Sequence, residues 1–201
     1  MGSLVLLNSM TIMKGFIMST RISFINLLDT EEKMKWQVRA WRNDDFVRKN
    51  MLNTHIISAS EHKEFLSKLQ NSISDKYYIA FYEGEPFGVL NMHVDIDGKR
   101  LEFGYYLSDI KYVDGGFGVI LEYVLLNHAF DCLKLDTVFC RTLSANKKVV
   151  ALHKRFGFDS TMSDEQICYQ SISTDKWKNK REYIENIIDR IFSIHDIGRL
   201  Y

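Results

Sequence analysis

Residues Asp114–Phe139 read DGGFGVILEYVLLNHAFDCLKLDTVF, with three glycines in the first five positions and a long apolar run behind them. A glycine-rich turn that feeds a helix has two readings. It is a tight strand-to-helix turn, or it is an anion cradle, since the first N–H groups of a helix have no internal partner and its dipole adds partial positive charge. No Gly-Lys-Ser/Thr follows, which excludes a P-loop, and the G-x-G-x-x-G spacing of dinucleotide folds is missing. On these residues alone both readings stay open. Behind the glycines the pattern predicts a helix from Phe117 to Leu133 and then the strand LDTVFCRTL.

Upstream, RISFINLL reads as a strand, and DTEEKMKWQVRAWRND as a helix opened by Thr30 and two acids. In ISASEHKEFLSKLQ, Ser58 and Glu61 have capping-box spacing, with Phe65, Leu66 and Leu69 on one face. YYIAFYE, FGVLNMHVDI and KRLEFGYYLS, broken by GEP and DG, read as three antiparallel strands. Downstream, SANKKVVALHKRFGF is a short helix stopped by Gly157 and EQICYQSIS a late strand. TDKWKNKREYIENIIDRIF is a closing helix with Ile184, Ile187, Ile188 and Ile191 on one face. Docking on its own sheet is the simplest use of that face; binding a partner or a membrane surface is the other, and a homodimer is one such partner arrangement.

The chain has 201 residues, 46% hydrophobic, enough for one sizeable core. One domain is expected over residues 21–201. Residues 1–20, with four methionines in the first eighteen, read as a poorly ordered arm or an overextended start. Acids and bases balance at 26 each, so no overall field favours nucleic acid or an anionic membrane. No apolar run approaches the ~20 residues of a membrane span, and the start lacks a signal peptide's charged region and cleavage site, so a cytoplasmic protein is expected. Cys132, Cys140 and Cys168 form no C-x-x-C pair and read as reduced core residues, and no metal site is expected.

The order of strand, V-D-G-G-F-G, helix, strand and NKKVVALHKRFGF resembles the GNAT superfamily of acyl-CoA-dependent N-acetyltransferases. That likeness implies an α/β (α+β) fold with a mixed, mostly antiparallel, splayed central sheet flanked by helices, and acetyl-CoA as cofactor. It implies that Gly116 and Gly118 take the two glycine positions of the family motif. The backbone through Val113, Asp114, Gly115, Gly116, Phe117, Gly118 and Val119 would then cradle the coenzyme A pyrophosphate. Val113 stands where the family usually has a basic residue. Asn146 takes the family asparagine, and GYYLSD matches the strand whose N–H near Tyr106, Leu107 or Ser108 would face the thioester carbonyl.

A narrower likeness runs from about residue 35 onward, in WRNDDFVRKNMLNTHIISASEHKEFLSKL, KYYIAFYEGEPFGVLNM and EFGYYLS. These blocks are similar to bacterial N-acetyltransferases of the pseudaminic acid pathway, which acetylate the 4-amino group of a UDP-linked altrosamine. The likeness implies a small-molecule acceptor, a UDP-amino sugar, with Arg42, Asn43, Arg48 and His62 near it. A guanidinium suits a diphosphate, while Arg48 at a solvated helix end is the alternative.

Acetyl transfer needs a neutral amine, a stabilised oxyanion and a proton for the departing thiolate. Glu102 is the candidate base; otherwise it is an exposed strand glutamate and water relays the proton. The family places its acid, a tyrosine, seven residues after the asparagine, and here that position is His153. It is a substitute acid, or a buried helix residue bonded to a carbonyl. Two competitors remain: acetylation of protein N-termini, and an acyl-CoA binding protein without catalysis.

Overall fold

A β-turn-α-β unit does surround Asp114 in a computed structural model of the chain, which describes residues 21–163 and 165–201. The expectation for residues 1–20 lies outside the described residues. Among the described residues seven strands form one sheet: β1 (Ile22–Asn26), β2 (Asp75–Tyr82), β3 (Glu85–Asp95), β4 (Arg100–Leu107), β5 (Thr137–Leu143), β6 (Asp159–Ser163) and β7 (Ile167–Ser173). Their order is β1-β2-β3-β4-β5-β7-β6, antiparallel throughout except between β4 and β5.

That exception shapes the molecule. Parallel neighbours cannot be joined by a hairpin, so the chain crosses over between β4 and β5 through the glycine turn and a helix. The two strands pair only from Arg100 to Glu102 against Thr137 to Phe139. Beyond Glu102, β4 stays with β3 up to Leu107, while β5 stays with β7 up to Leu143. A wedge-shaped gap opens between them in the middle of the sheet.

Side chains alternate across the strands. Ile79 and Val89 meet Val38 of α1 (Glu32–Asn43) and Leu69 of α3 (Ala59–Asn71) on one face, with the single-turn α2 (Asp45–Arg48) between those helices. Tyr78, Leu90, Leu101 and Phe103 face the larger core. That core also receives α4 (Phe117–Asn127), α5 (Lys147–Phe156) and α6 (Thr174–Ile188). Ile120, Leu121 and Leu125 of α4 are wholly buried, each contributing roughly 1.5–3 kcal/mol. The closing helix docks on its own sheet through Trp177, Ile184 and Ile188, with Trp177 stacked on Phe156. Among the described residues no helix is long and apolar enough to cross a membrane.

The meander, the capping box at Ser58 and the stop at Gly157, left-handed with φ +102°, are found as read. Other expectations are corrected. The helix from Phe117 is α-helical only to Asn127, and its last turn, His128–Cys132, is a π-turn. Thr30 does not open α1: its hydroxyl donates to Leu27 O, closing a preceding 3-10 turn, and Glu31 is the N-cap. Ile191 lies past the end of α6 and is exposed. Cys132 is exposed, unlike Cys140 and Cys168. Strand β6 was missed, because DSTMS has a lone β-branched threonine and no aromatic, too little for the alternation that marks a strand.

Candidate active site

One cavity of about 1490 Å³ runs through the gap. On one face of the sheet its wall includes Gly116, Gly118, Asn146 and Leu152; on the other it includes Arg42, Tyr77, Glu102 and Tyr106. The wedge between β4 and β5 therefore connects two chambers.

The first chamber is made largely of backbone. Gly116 is the N-cap of α4 with φ +78°, and a Cβ there would also come within 2.9 Å of Ile191 Cδ1. A Cβ on Gly115 would strike the Phe117 ring at 2.9 Å, so these two glycines make the turn. A Cβ on Gly118 would meet Leu152 and Tyr105 only at 3.6–3.8 Å. What Gly118 keeps clear is the cavity side. Gly116 O accepts from Val119 N and Ile120 N, whereas among the described residues the N–H groups of Gly116, Phe117 and Gly118 have no backbone acceptor. Open donors at a helix start suit an anionic diphosphate. Val113 and Asp114 line this chamber without a cation of their own; Lys148 Nζ, 3.6 Å from the Asp114 carboxylate, supplies one. Asn146 caps α5 by accepting from Val149 N.

Along β4, Ser108 N donates to Phe87 O, so its N–H is committed to β3. Alternation puts the N–H of Tyr106 on that same side and the N–H of Leu107 toward the gap. Of the three residues read as facing a thioester, Leu107 has the free edge. The Tyr106 side chain instead reaches Val38 O on the opposite face of the sheet, and burial pushes its phenol up.

His153 sits at the edge of the cavity but is 2% exposed. Burial draws its pKa down to about 4, so the ring is neutral at pH 7. Nδ1 lies 3.0 Å from Gln170 Oε1 and 3.4 Å from Cys140 Sγ. Gln170 Nε2 donates to Val150 O, which turns Oε1 toward the ring and assigns the proton to Nδ1. Nε2 then faces Glu122 Oε2 at 3.7 Å. Glu122 is wholly buried, and desolvation pushes its carboxyl well up. Burial drives both groups toward their uncharged forms, which disfavours a salt bridge here. An imidazolium acid, the role the family motif implied for His153, is disfavoured by that burial.

The second chamber is made of long side chains that grip a loop. Asn43 Nδ2 donates to Ile57 O and Asn43 Oδ1 accepts from Ile57 N, both at 2.8 Å. Arg39 Nε donates to the same Ile57 O, Arg42 to Asn53 O, and Arg48 to Thr54 O and Asp45. Asn43 and Arg48 therefore shape the wall from behind, while Arg42 reaches it and keeps Nη1 without a partner among the described residues. His62 is 2% exposed, with Nε2 donating to Lys35 O, and desolvation lowers its pKa. Glu102 accepts from Arg141 Nε at 2.6 Å, just where β4 and β5 part.

Sequence reading missed Glu122, Tyr105 and Arg141. Glu122 had a signal: it is the one charged residue in the apolar run GFGVILEYVLLN. Arg141 had none, since its meeting with Glu102 depends on the register of distant strands.

Residues 24–159 match the acetyltransferase (GNAT) domain family. Two proteins from strains of Campylobacter jejuni, each named Acetyltransferase PseH, align at 33% identity over 126 residues and 30% over 130. The alignments span 62% and 64% of this chain and 75% and 79% of the relatives. The crystal structure of Campylobacter jejuni N-acetyltransferase PseH in complex with acetyl coenzyme A is 25% identical with a TM-score of 0.60, covering 76% of this chain and 98% of that one. Spermidine N-acetyltransferase from Vibrio cholerae, 15% identical with a TM-score of 0.68, covers 79% of this chain and 99% of its own, and shows the fold alone.

Proposed function

Since the chain belongs to the acetyltransferase (GNAT) domain family and is an acetyl-CoA-dependent N-acetyltransferase, we propose that its acceptor is the amino group of a nucleotide-linked amino sugar, UDP-linked by preference, acetylated by direct attack in a ternary complex. The observation that carries this reading is the single cavity through the β4–β5 gap, with open helix-start donors at one end and Arg42, Tyr77 and Tyr106 at the other. The relatives named PseH, one of them solved with acetyl coenzyme A, support it.

On this reading the N–H groups of Phe117 and Gly118 hold the pyrophosphate, and Leu107 N–H polarises the thioester carbonyl. A cation usual in the family is missing at Val113, and Lys148 serves from α5. In the second chamber the Arg42 guanidinium provides the cation beside the acceptor's diphosphate, and Tyr77 and Tyr106 give aromatic walls for the base and sugar. Arg39, Asn43 and Arg48 act by holding the loop around residues 53–57. Glu102, oriented by Arg141, takes the proton of the attacking amine. Because Cys140 is buried and its thiol pushed up, a thiolate that would carry an acyl-enzyme is disfavoured there.

Free-thiol release from acetyl-CoA, measured with UDP-4-amino sugars, with peptides bearing ribosomal-protein N-termini and with polyamines, tests the proposal. Turnover with the UDP-amino sugar alone is the expected result. Turnover with peptides alone would move the acceptor to protein N-termini, and acetyl-CoA binding with silence on all three would leave an acyl-CoA binding protein.

A further inference from the structure

Behind the coenzyme chamber lies a polar cluster that neither the cradle nor the acceptor wall uses. Glu122 and His153 are 0% and 2% exposed, inside a core of apolar and aromatic side chains. Glu122 Oε1 and His153 Nε2 have no hydrogen-bond partner among the described residues. A carboxyl in such a place costs folding energy that a leucine would not, so packing gives no reason for it.

Tyr105, Cys140 and His153 border the cavity, and of these Tyr105 bonds to the buried acid. Tyr105, on the gap strand β4, lines the cavity, and its hydroxyl donates to Glu122 Oε2 at 3.3 Å. The same hydroxyl stands 3.8 Å from where a Cβ on Gly118 would be. It is thus interposed between the start of α4 and the buried acid. With Glu122 protonated, the 3.3 Å contact between Tyr105 Oη and Glu122 Oε2 can pass a proton in either direction, while His153 Nε2 stays 3.7 Å from Oε2, beyond hydrogen-bond reach, and His153 Nδ1–H donates to Gln170 Oε1. His153, fixed by Gln170, packs behind the pair without bonding to it.

Resting on the acetyl-transfer reading above, we infer that Tyr105 gives the departing coenzyme A thiolate its proton and that Glu122 is the positioning residue that holds the phenol and restores its proton. When the tetrahedral intermediate collapses, the C–S bond breaks and its electron pair stays on sulfur. The Tyr105 Oη proton moves to sulfur, forming the S–H bond, and Oη takes the Oε2 proton of Glu122. The carboxylate so formed is reprotonated through Tyr105 from water that enters once products leave. The attacking nitrogen loses one proton to Glu102 and thence to solvent, so one proton is lost and one gained per turnover.

The groups facing Tyr105 favour this exchange. Glu122 from α4, Cys140 from β5 and His153 from α5 are all driven toward their uncharged forms by burial. Burial also pushes the Tyr105 phenol up. A bare thiolate in the same gap would bear the same penalty, so the proton passes between groups that are disfavoured alike as anions.

The test uses the full chain, acetyl-CoA and the UDP-4-amino sugar. Tyr105→Phe lowers kcat by roughly 100-fold or more with acetyl-CoA affinity unchanged. Glu122→Gln, which keeps an acceptor for the phenol but has no proton to restore, lowers kcat less and shifts the alkaline limb of the kcat–pH profile. An unaltered kcat in Tyr105→Phe overturns the inference, as does loss of acetyl-CoA binding in step with kcat in both variants, which marks the cluster as structural. Wild-type silence with every amine instead overturns the acetyl-transfer reading on which the inference rests.

Discussion

On the side of the β4–β5 gap that we assign to the coenzyme the wall is backbone: a left-handed Gly116, N–H groups at the start of α4 without a backbone acceptor among the described residues, and an unpaired edge of β4. On the acceptor side it is side chain. Arg39, Arg42, Asn43 and Arg48 bind the carbonyls of one loop, and the capping box of Ser58 and Glu61 anchors where that loop enters α3. A wall of backbone is fixed by local geometry and suits a ligand whose phosphates never change. A wall of side chains is reshaped by single substitutions and suits an acceptor that differs between relatives.

The largest effect is expected on the backbone side. Gly118→Trp places an indole in the space that Gly118 keeps clear, and calorimetry should find acetyl-CoA binding abolished; unchanged affinity would break the contrast at once. Next, Glu102→Gln should lower kcat by roughly 100- to 10,000-fold while leaving acetyl-CoA affinity alone, and steady-state kinetics separate the two. If the rate holds, water relays the amine proton and Glu102 is a strand residue paired with Arg141.

The buried pair beneath the coenzyme side should be visible in stability against pH. His153, lowered from 6.5 to about 4, is unprotonated when folded but protonated when unfolded in that window. Its contribution therefore falls as pH drops from 6.5 to 4, by up to about 3 kcal/mol. Glu122 is raised above 4.5; it is protonated when folded and ionised when unfolded, so its contribution falls as pH rises above 4.5. Between pH 4.5 and 6.5 the two slopes oppose, and above 6.5 the His153 slope is gone. Urea unfolding of Glu122→Gln should then rise in stability from pH 4.5 to 6.5 and level off beyond it.

Smaller effects belong to the acceptor side. Asn43→Ala removes both hydrogen bonds to Ile57, at about 1–3 kcal/mol, and should raise the acceptor KM without moving acetyl-CoA affinity. Ser58→Ala removes half of the capping box and should cost about 1 kcal/mol, measurable as a lower urea midpoint.

The same contrast explains what the sequence disclosed. Strand meander, glycine turn, capping box and closing helix rest on local periodicity and turn chemistry, and each was legible, as was the family from the spacing of its glycines and asparagine. The fate of long polar side chains was not. Arg48 and Asn43 look like ligands for a diphosphate, yet they spend their donors on loop carbonyls fixed by tertiary packing. His153 holds the family's acid position in sequence, but burial decides its protonation and Gln170 on β7 its tautomer. The π-turn after Asn127 has no composition signal, and β6 is held to β7 by pairing despite weak strand character.

The central claim is that coenzyme and acceptor meet across one gap with no covalent stop on the protein. Initial rates with acetyl-CoA and the UDP-amino sugar both varied test it most directly. Intersecting double-reciprocal lines, with no chain heavier by an acetyl group after incubation with acetyl-CoA alone, are the predicted result; parallel lines with an acetylated chain would contradict it.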